Sequence, residues 1–141
     1  MTSDNRIAFD HIHLISADPN AAAAWYVDML GAEITDKHEV RGAPQICVAF
    51  GDAFLLIRGA RPGEDPSSKP ALGQFAEFAS HDQWGTDHFG FRITGDFNAY
   101  CDGLREKGAT FLVEPHDFLP GSPIAYLAAP DGVTVELVKA Q

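Results

Sequence analysis

The chain repeats a short sequence pattern, and this repeat restricts its fold more than any other feature. The segment Asp10–Leu14, DHIHL, matches Asp87–Phe91, DHFGF, at a shift of 77 residues, the spacing between His11 and His88. The same shift, without a gap, places Gly31-Ala32 on Gly108-Ala109. Because an internal repeat indicates that one structural unit occurs twice, we expect two related modules.

The first module is predicted over residues 7–58. The alternation from Ile7 to Ile15 favours a strand, and Asp18 with Pro19 is typical of a helix start. We expect the helix over Ala21–Leu30, with Gly31 ending it. Its buried stripe is expected to contain Trp25, Met29 and Leu30. Three short strands are predicted after it, at about Glu33–His38, Gln45–Phe50 and Ala53–Ile57.

The second module is predicted over residues 85–139, with the same order of elements. A strand over His88–Ile93 leads to a helix capped by Asp96 and stopped by Gly108. Three further strands are predicted at about Thr110–Glu114, Ile124–Leu127 and Thr134–Val138. Between the modules, residues 59–84 are rich in proline, glycine and serine, which indicates a linker, with Phe75 and Phe78 able to pack it down. The sequence thus predicts an α+β fold of two tandem βαβββ modules.

The charge balance narrows the range of partners. The chain has 20 acidic and 10 basic residues, a formal net charge of −10. Such a chain repels phosphate backbones and anionic lipid, so we expect neither nucleic acid nor a membrane as partner. The N-terminal residues lack the build of a signal peptide, and Cys47 and Cys101 form no CxxC pair. We therefore expect a cytoplasmic protein with reduced cysteines.

Three residues are candidates for a metal site. The repeat places His11 and His88 at equivalent positions, and neutral imidazoles are common metal ligands. Each could instead cap a strand or bind a carbonyl group. Glu136 interrupts an apolar strand, where a carboxylate is costly to bury unless it is paired or bound to a metal; alternatively it faces outward. Two histidines and one carboxylate form a set that suits one divalent ion such as Fe²⁺, Mn²⁺, Zn²⁺, Ni²⁺ or Co²⁺.

Several segments together resemble the vicinal oxygen chelate superfamily, which includes glyoxalases, bleomycin resistance proteins and extradiol dioxygenases. They are Asp10–Leu14, Ala21–Tyr26, Leu30–Glu33, Gly85–Phe91, Ile124–Tyr126, Pro130–Gly132 and Val135–Leu137. The resemblance covers about residues 7–139 and implies a single domain over residues 1–141. It also implies an incompletely closed mixed β-barrel, a small-molecule substrate and a homodimer.

The resemblance assigns the family's metal ligands to His11, His88 and Glu136. Family members with four ligands, such as glyoxalase, have a further Glu or Gln at the end of the first module. In this sequence that place is taken by Leu55 or Leu56, which cannot bind a metal. The resemblance therefore implies the three-ligand arrangement of the dioxygenases and the fosfomycin transferases.

Three more residues are candidates for catalysis. A turn at Pro130-Asp131-Gly132 is predicted to set Tyr126 about opposite Glu136 on the neighbouring strand, so both side chains should face the same way. The resemblance places Tyr126 where extradiol dioxygenases have a tyrosine that touches the substrate, although it could also be a core aromatic residue. His116 lies near the place of a supporting histidine in those enzymes, although a loop histidine is often simply exposed. His13 shares a strand face with His11, as a supporting partner, a general base or an alternative ligand.

The resemblance, together with the candidate ligand set, implies a metal-dependent enzyme that chelates adjacent oxygens of a small organic substrate. Glyoxalase-like lyase or isomerase chemistry is the first expectation. Extradiol cleavage of a catechol-type ring is the second, and a non-catalytic binding protein of the bleomycin type is the third.

Overall fold

The two halves of the sequence repeat form two units with the same order of strands and helix. The computed structural model describes residues 9–66 and 85–140. The chain divides into one compact unit within residues 1–66 and another within 67–141. The predicted linker from residue 67 onward, with Phe75 and Phe78, lies outside the described residues, as do residues 7 and 8 of the first predicted strand. The assignment of both units to one domain stays a prediction.

The first unit is a four-stranded mixed sheet with one helix. Its elements are β1 (His11–Ile15), α1 (Pro19–Leu30), β2 (Glu33–Val40), β3 (Ala43–Phe50) and β4 (Ala53–Arg58). The strand order is β1-β4-β3-β2. β1 pairs with β4 in parallel, and the other pairs are antiparallel.

The second unit repeats this topology. Its elements are β5 (Phe89–Ile93), α2 (Phe97–Glu106), β6 (Phe111–Leu119), β7 (Ser122–Ala128) and β8 (Thr134–Lys139). The strand order is β5-β8-β7-β6, again with a parallel first pair. The predicted Pro-Asp-Gly turn is a short 3₁₀ segment, Pro130–Gly132, between β7 and β8. The predicted α+β class with two βαβββ modules is therefore confirmed.

Both helices begin as the sequence predicts. The Asp18 carboxylate accepts a hydrogen bond from the Ala21 backbone N–H at 3.1 Å. The Asp96 carboxylate accepts one from Ala99 at 2.9 Å. These bonds satisfy backbone donors that have no partner inside the first helical turn.

The buried face of α1 differs from the prediction. Its buried residues are Pro19, Ala22, Ala23 and Tyr26, while Trp25, Met29 and Leu30 are only half-buried. The helix packs against β3 and β4, whose alternate residues Ile46, Val48, Leu55 and Ile57 are buried. Small alanine side chains let a helix backbone lie close to a sheet, whereas the larger residues occupy the margin of this contact.

β6 is longer than predicted. It continues past Glu114 to Leu119 and pairs with β7, with three register shifts along the ladder. It is the last strand of its sheet. Proline is tolerated on edge strands and at bulges, so Pro115 does not end this strand. His116 consequently lies on a strand rather than in the predicted loop.

The structure bears on two further points, which are the state of the cysteines and the presence of membrane-spanning helices. Cys47 and Cys101 are both free, and burial raises the pKa of the Cys101 thiol to about 11. Among the helices of the described ranges, none is both long enough and apolar enough to span a membrane.

Replacing either capping residue should destabilise the fold. Asp18→Ala and Asp96→Ala should each lower the free energy of unfolding by about 1 kcal/mol, since each removes the acceptor for an orphan helical N–H. Urea denaturation measures this change. Asp102→Ala, on the exposed face of α2, is the control and should leave the midpoint nearly unchanged; equal midpoints for all three variants would contradict the capping role.

Candidate metal centre

Strand pairing in the second unit brings Glu136 onto the same sheet face as Tyr126. Glu136 on β8 is the register partner of Gly90 on β5 and of Tyr126 on β7. Its neighbours Val135 and Leu137 are fully buried. Because successive strand residues point to opposite faces, Glu136 lies on the face opposite this core.

His88 completes a compact group with these residues. Its Nε2 lies 3.6 Å from Glu136 Oε1, and its ring centroid lies 5.0 Å from that of Tyr126. The His88 and Glu136 side chains are only partly exposed, at 26% and 20%. An imidazole nitrogen and a carboxylate oxygen therefore meet at a half-buried position, and the role of both residues as metal ligands stays a prediction.

Gly90 lets the backbone of β8 at Glu136 lie close to β5. A Cβ atom added at Gly90 would lie 3.2 Å from the Glu136 carbonyl oxygen and 3.6 Å from Oε1. A contact of 3.2 Å to backbone is tight, because the backbone of a paired strand cannot easily move away. The absence of a side chain at Gly90 thus fits the close approach of the two strands beside the Glu136 carboxylate.

Tyr126 is placed as the register argument predicts, directly opposite Glu136. Its side chain is 1% exposed and packs with Leu112 and Val113. Burial raises the pKa of Tyr126 strongly, and the charge of the Glu136 carboxylate and hydrogen bonding to it raise the pKa further. The phenol therefore keeps its proton and can act as a hydrogen-bond donor beside Glu136, while its ring belongs to the small apolar cluster with Leu112 and Val113.

His11 in the first unit has a local environment like that of His88. Its Nδ1 lies 2.7 Å from Asp10 Oδ2, and the Nδ1 of His88 lies 2.6 Å from Asp87 Oδ2. The His11 ring also stacks on Phe54, with centroids 5.4 Å apart. The two aspartates were not among the predicted site residues, although the signal was present, because the repeat contains an Asp-His pair in both copies.

His13 shares a sheet face with His11, as predicted, and the two ring centroids are 6.3 Å apart. Burial lowers the pKa of His13, and the positive charges of Arg58, His11 and Arg61 lower it further. Arg58 itself forms an ion pair with Glu64 at 2.8 Å. His13 is therefore a neutral imidazole near neutral pH.

The register also settles which first-unit residue corresponds to Glu136. His13 pairs with Leu56 on β4 in the same way that Gly90 pairs with Glu136 on β8. Leu56, rather than Leu55, thus stands at the place of the carboxylate.

His116 is not brought into the group formed by His88, Tyr126 and Glu136. It pairs with Ile124 on β7, and its exposed ring is hydrogen-bonded through Nδ1 to the Glu114 carbonyl oxygen at 2.9 Å. A catalytic role of His116 stays a prediction.

The donors of the second unit fit a divalent metal as part of a ligand set. Imidazole nitrogen with carboxylate oxygen suits the first-row transition metals, and a neighbouring carboxylate on the other ring nitrogen is typical of a ligating histidine. Within residues 9–66 and 85–140, no three His, Cys, Asp or Glu side chains form a group arranged to hold a metal ion. The set of His11, His88 and Glu136 therefore stays a prediction.

Several solved structures have the same fold as this chain. SMU.1112c is 24% identical, with a TM-score of 0.70, and the match covers 95% of this chain and 99% of that one. TnmS3, an antibiotic binding protein from Streptomyces sp., is 18% identical with a TM-score of 0.65, covering 96% and 98%. FosX, a fosfomycin resistance protein from Listeria monocytogenes, is 15% identical with a TM-score of 0.67, covering 92% and 90%. That FosX structure is of a mutant complexed with Mn(II) and a dihydroxypropylphosphonic acid.

Sequence comparison gives the family directly. No curated protein is detectably similar to the chain in sequence. The model of one family matches residues 8–137, nearly the whole chain. The chain belongs to the Glyoxalase/Bleomycin resistance protein/Dioxygenase superfamily.

Proposed function

We propose that this protein is a divalent-metal-dependent enzyme that chelates adjacent oxygens of a small organic substrate, with glyoxalase-like lyase or isomerase chemistry. The observation that carries the proposal is the approach of His88 Nε2 to Glu136 Oε1, 3.6 Å apart, beside the Tyr126 phenol. A half-buried nitrogen–oxygen donor pair next to a protonated phenol suits a site that binds a metal and a substrate.

His11, His88 and Glu136 are the proposed ligands of one Fe²⁺, Mn²⁺, Zn²⁺, Ni²⁺ or Co²⁺ ion. When bound, the ion supplies Lewis-acid stabilisation of negative charge on the substrate oxygens. The family relationship and the Mn(II) in the FosX structure support this choice of cofactor.

The remaining chemistry falls to two side chains. The Tyr126 phenol is protonated and lies beside Glu136; with the Glu136 carboxylate engaged as a metal ligand, the phenol would donate its hydrogen bond to a substrate oxygen instead. His13 is neutral, and a neutral imidazole can accept the proton that is abstracted next to a carbonyl group. Tyr126 thus orients the substrate and stabilises its charge, and His13 is the candidate base.

A specific observation favours extradiol ring cleavage as the second candidate function. Leu56 stands at the first-unit position that corresponds to Glu136, which leaves a ligand set of three residues. Such a set with an adjacent tyrosine suits Fe²⁺ or Mn²⁺ with open coordination positions. Oxygen uptake with a panel of catechols separates this function from lyase or isomerase activity on small carbonyl compounds.

The third candidate is a binding protein without catalysis, as the antibiotic-binding TnmS3 exemplifies within the fold. The pair of His88 and Glu136 favours the enzyme. A carboxylate and an imidazole are costly to bury in an apolar binding pocket unless they are paired or bind a metal. Metal analysis of the purified protein distinguishes the two.

Loss of any proposed ligand should release the metal. The wild-type chain should bind one divalent ion, whereas His11→Ala, His88→Ala and Glu136→Ala should each lose it, because each removes one of three protein donors. Elemental analysis after dialysis against each candidate ion measures this. His38→Ala on the exposed strand β2 is the control and should retain the metal; a wild-type chain without bound metal would contradict the proposal.

Tyr126→Phe should retain metal binding but lower the turnover rate. The ring keeps its packing, so the variant should fold and bind metal like the wild type. Turnover should fall by roughly 10²-fold, since a positioned proton donor is removed. Steady-state kinetics on the active substrate of the panel provide the measurement, and an unchanged kcat would reduce Tyr126 to a packing residue.

We also propose a homodimer with a small-molecule substrate. Each four-stranded sheet of the described residues ends in edge strands, and unpaired edges favour association with a second chain. Light scattering should therefore give about twice the 15.2 kDa chain mass. A stable 15.2 kDa species at micromolar concentration would be inconsistent with this assembly.

A further inference from the structure

We propose that Asp87 and Asp10 are positioning residues, each fixing the ring of the following histidine so that its Nε2 becomes the metal ligand. This inference rests on the proposed metal site. It assigns a role to two carboxylates that are themselves neither proposed ligands nor catalytic groups.

The geometry at His88 specifies which ring nitrogen is available. Nδ1 lies 2.6 Å from Asp87 Oδ2. An ionised carboxylate only accepts hydrogen bonds, so Nδ1 must carry the proton and donate it. In a neutral imidazole the other nitrogen, Nε2, then has the free lone pair. Nε2 is also the atom that lies 3.6 Å from Glu136 Oε1. Asp87 therefore leaves free the ring nitrogen that faces the Glu136 carboxylate.

The first unit contains the same arrangement independently. Asp10 Oδ2 lies 2.7 Å from His11 Nδ1, which leaves Nε2 of His11 as its ligand atom. The residues that follow the two histidines differ between the copies of the repeat, as His13 against Gly90 shows, but the aspartate before each histidine is the same. The shared element is therefore the Asp-His pair with its hydrogen bond.

The two aspartates should not matter equally. The Asp87 side chain is 28% exposed, whereas that of Asp10 is 74% exposed. Water competes more effectively with an exposed hydrogen bond and can replace its acceptor. The His11 ring is also held by stacking on Phe54. We therefore expect the ring of His88 to depend on Asp87 more than the ring of His11 depends on Asp10.

The first test measures metal affinity. Isothermal titration with Co²⁺ is compared for the wild type, Asp87→Ala, Asp10→Ala and the control Asp102→Ala, which removes one exposed carboxylate of α2. The affinity should fall roughly 10- to 100-fold in Asp87→Ala, should fall less in Asp10→Ala, and should match the wild type in Asp102→Ala.

The second test needs no metal. Nitrogen-15 NMR of the histidine rings in the metal-free protein, at a pH where imidazoles are neutral, reports which nitrogen is protonated. His88 should be protonated at Nδ1 in the wild type and should lose this preference in Asp87→Ala. Asp87→Asn keeps the shape of the side chain, but its amide can donate to Nδ1 as well as accept from it, so this variant should also weaken the Nδ1–H preference.

The outcomes separate this inference from the function on which it rests. If Asp87→Ala binds Co²⁺ as tightly as Asp102→Ala while His88→Ala does not bind, the positioning role is wrong and the metal site stands. If the wild type binds no metal, the proposed function fails. In that case the NMR measurement alone tests whether Asp87 fixes the His88 ring. An unchanged His88 tautomer in Asp87→Ala would show that it does not.

Discussion

The register of β8 against its two neighbouring strands is the constraint on which the candidate site depends. It sets Glu136 beside Gly90 on one side and beside Tyr126 on the other. A slip of one residue would move every side chain of β8 to the opposite face. Glu136 would then enter the core, and the buried Val135 and Leu137 would face outward. The apolar core therefore fixes the position of the carboxylate.

The two units have the same strand topology but different donor side chains. Three first-unit positions show the difference: His13 corresponds to Gly90, Leu56 to Glu136, and Cys47 to Tyr126. The strand order and the Asp-His pair are common to both units. The last strand of the second unit supplies a glutamate where that of the first supplies a leucine, so the two halves are equivalent in fold and unequal in the donors that they offer.

Much of this arrangement was predictable from sequence because it follows from local rules. The repeat, the Asp18 and Asp96 caps and the Pro-Asp-Gly turn each leave a direct signal in the chain, and the turn fixes Tyr126 opposite Glu136. The buried face of α1 was not predictable, since close packing against the sheet favoured small alanines over Trp25. His116 was misplaced because an edge strand tolerates the proline before it.

Gly90 has a consequence for how such a site can arise by mutation. A Cβ atom at position 90 would lie in tight contact with the backbone oxygen of Glu136 and in ordinary contact with its carboxylate. In the first unit the corresponding neighbour is His13, which has a large ring. A carboxylate gained at position 56 would have this ring as its neighbour on the paired strand, so its effect should depend on the residue at position 13. Substitutions at positions 13 and 56 are therefore expected to be coupled, as are those at positions 90 and 136.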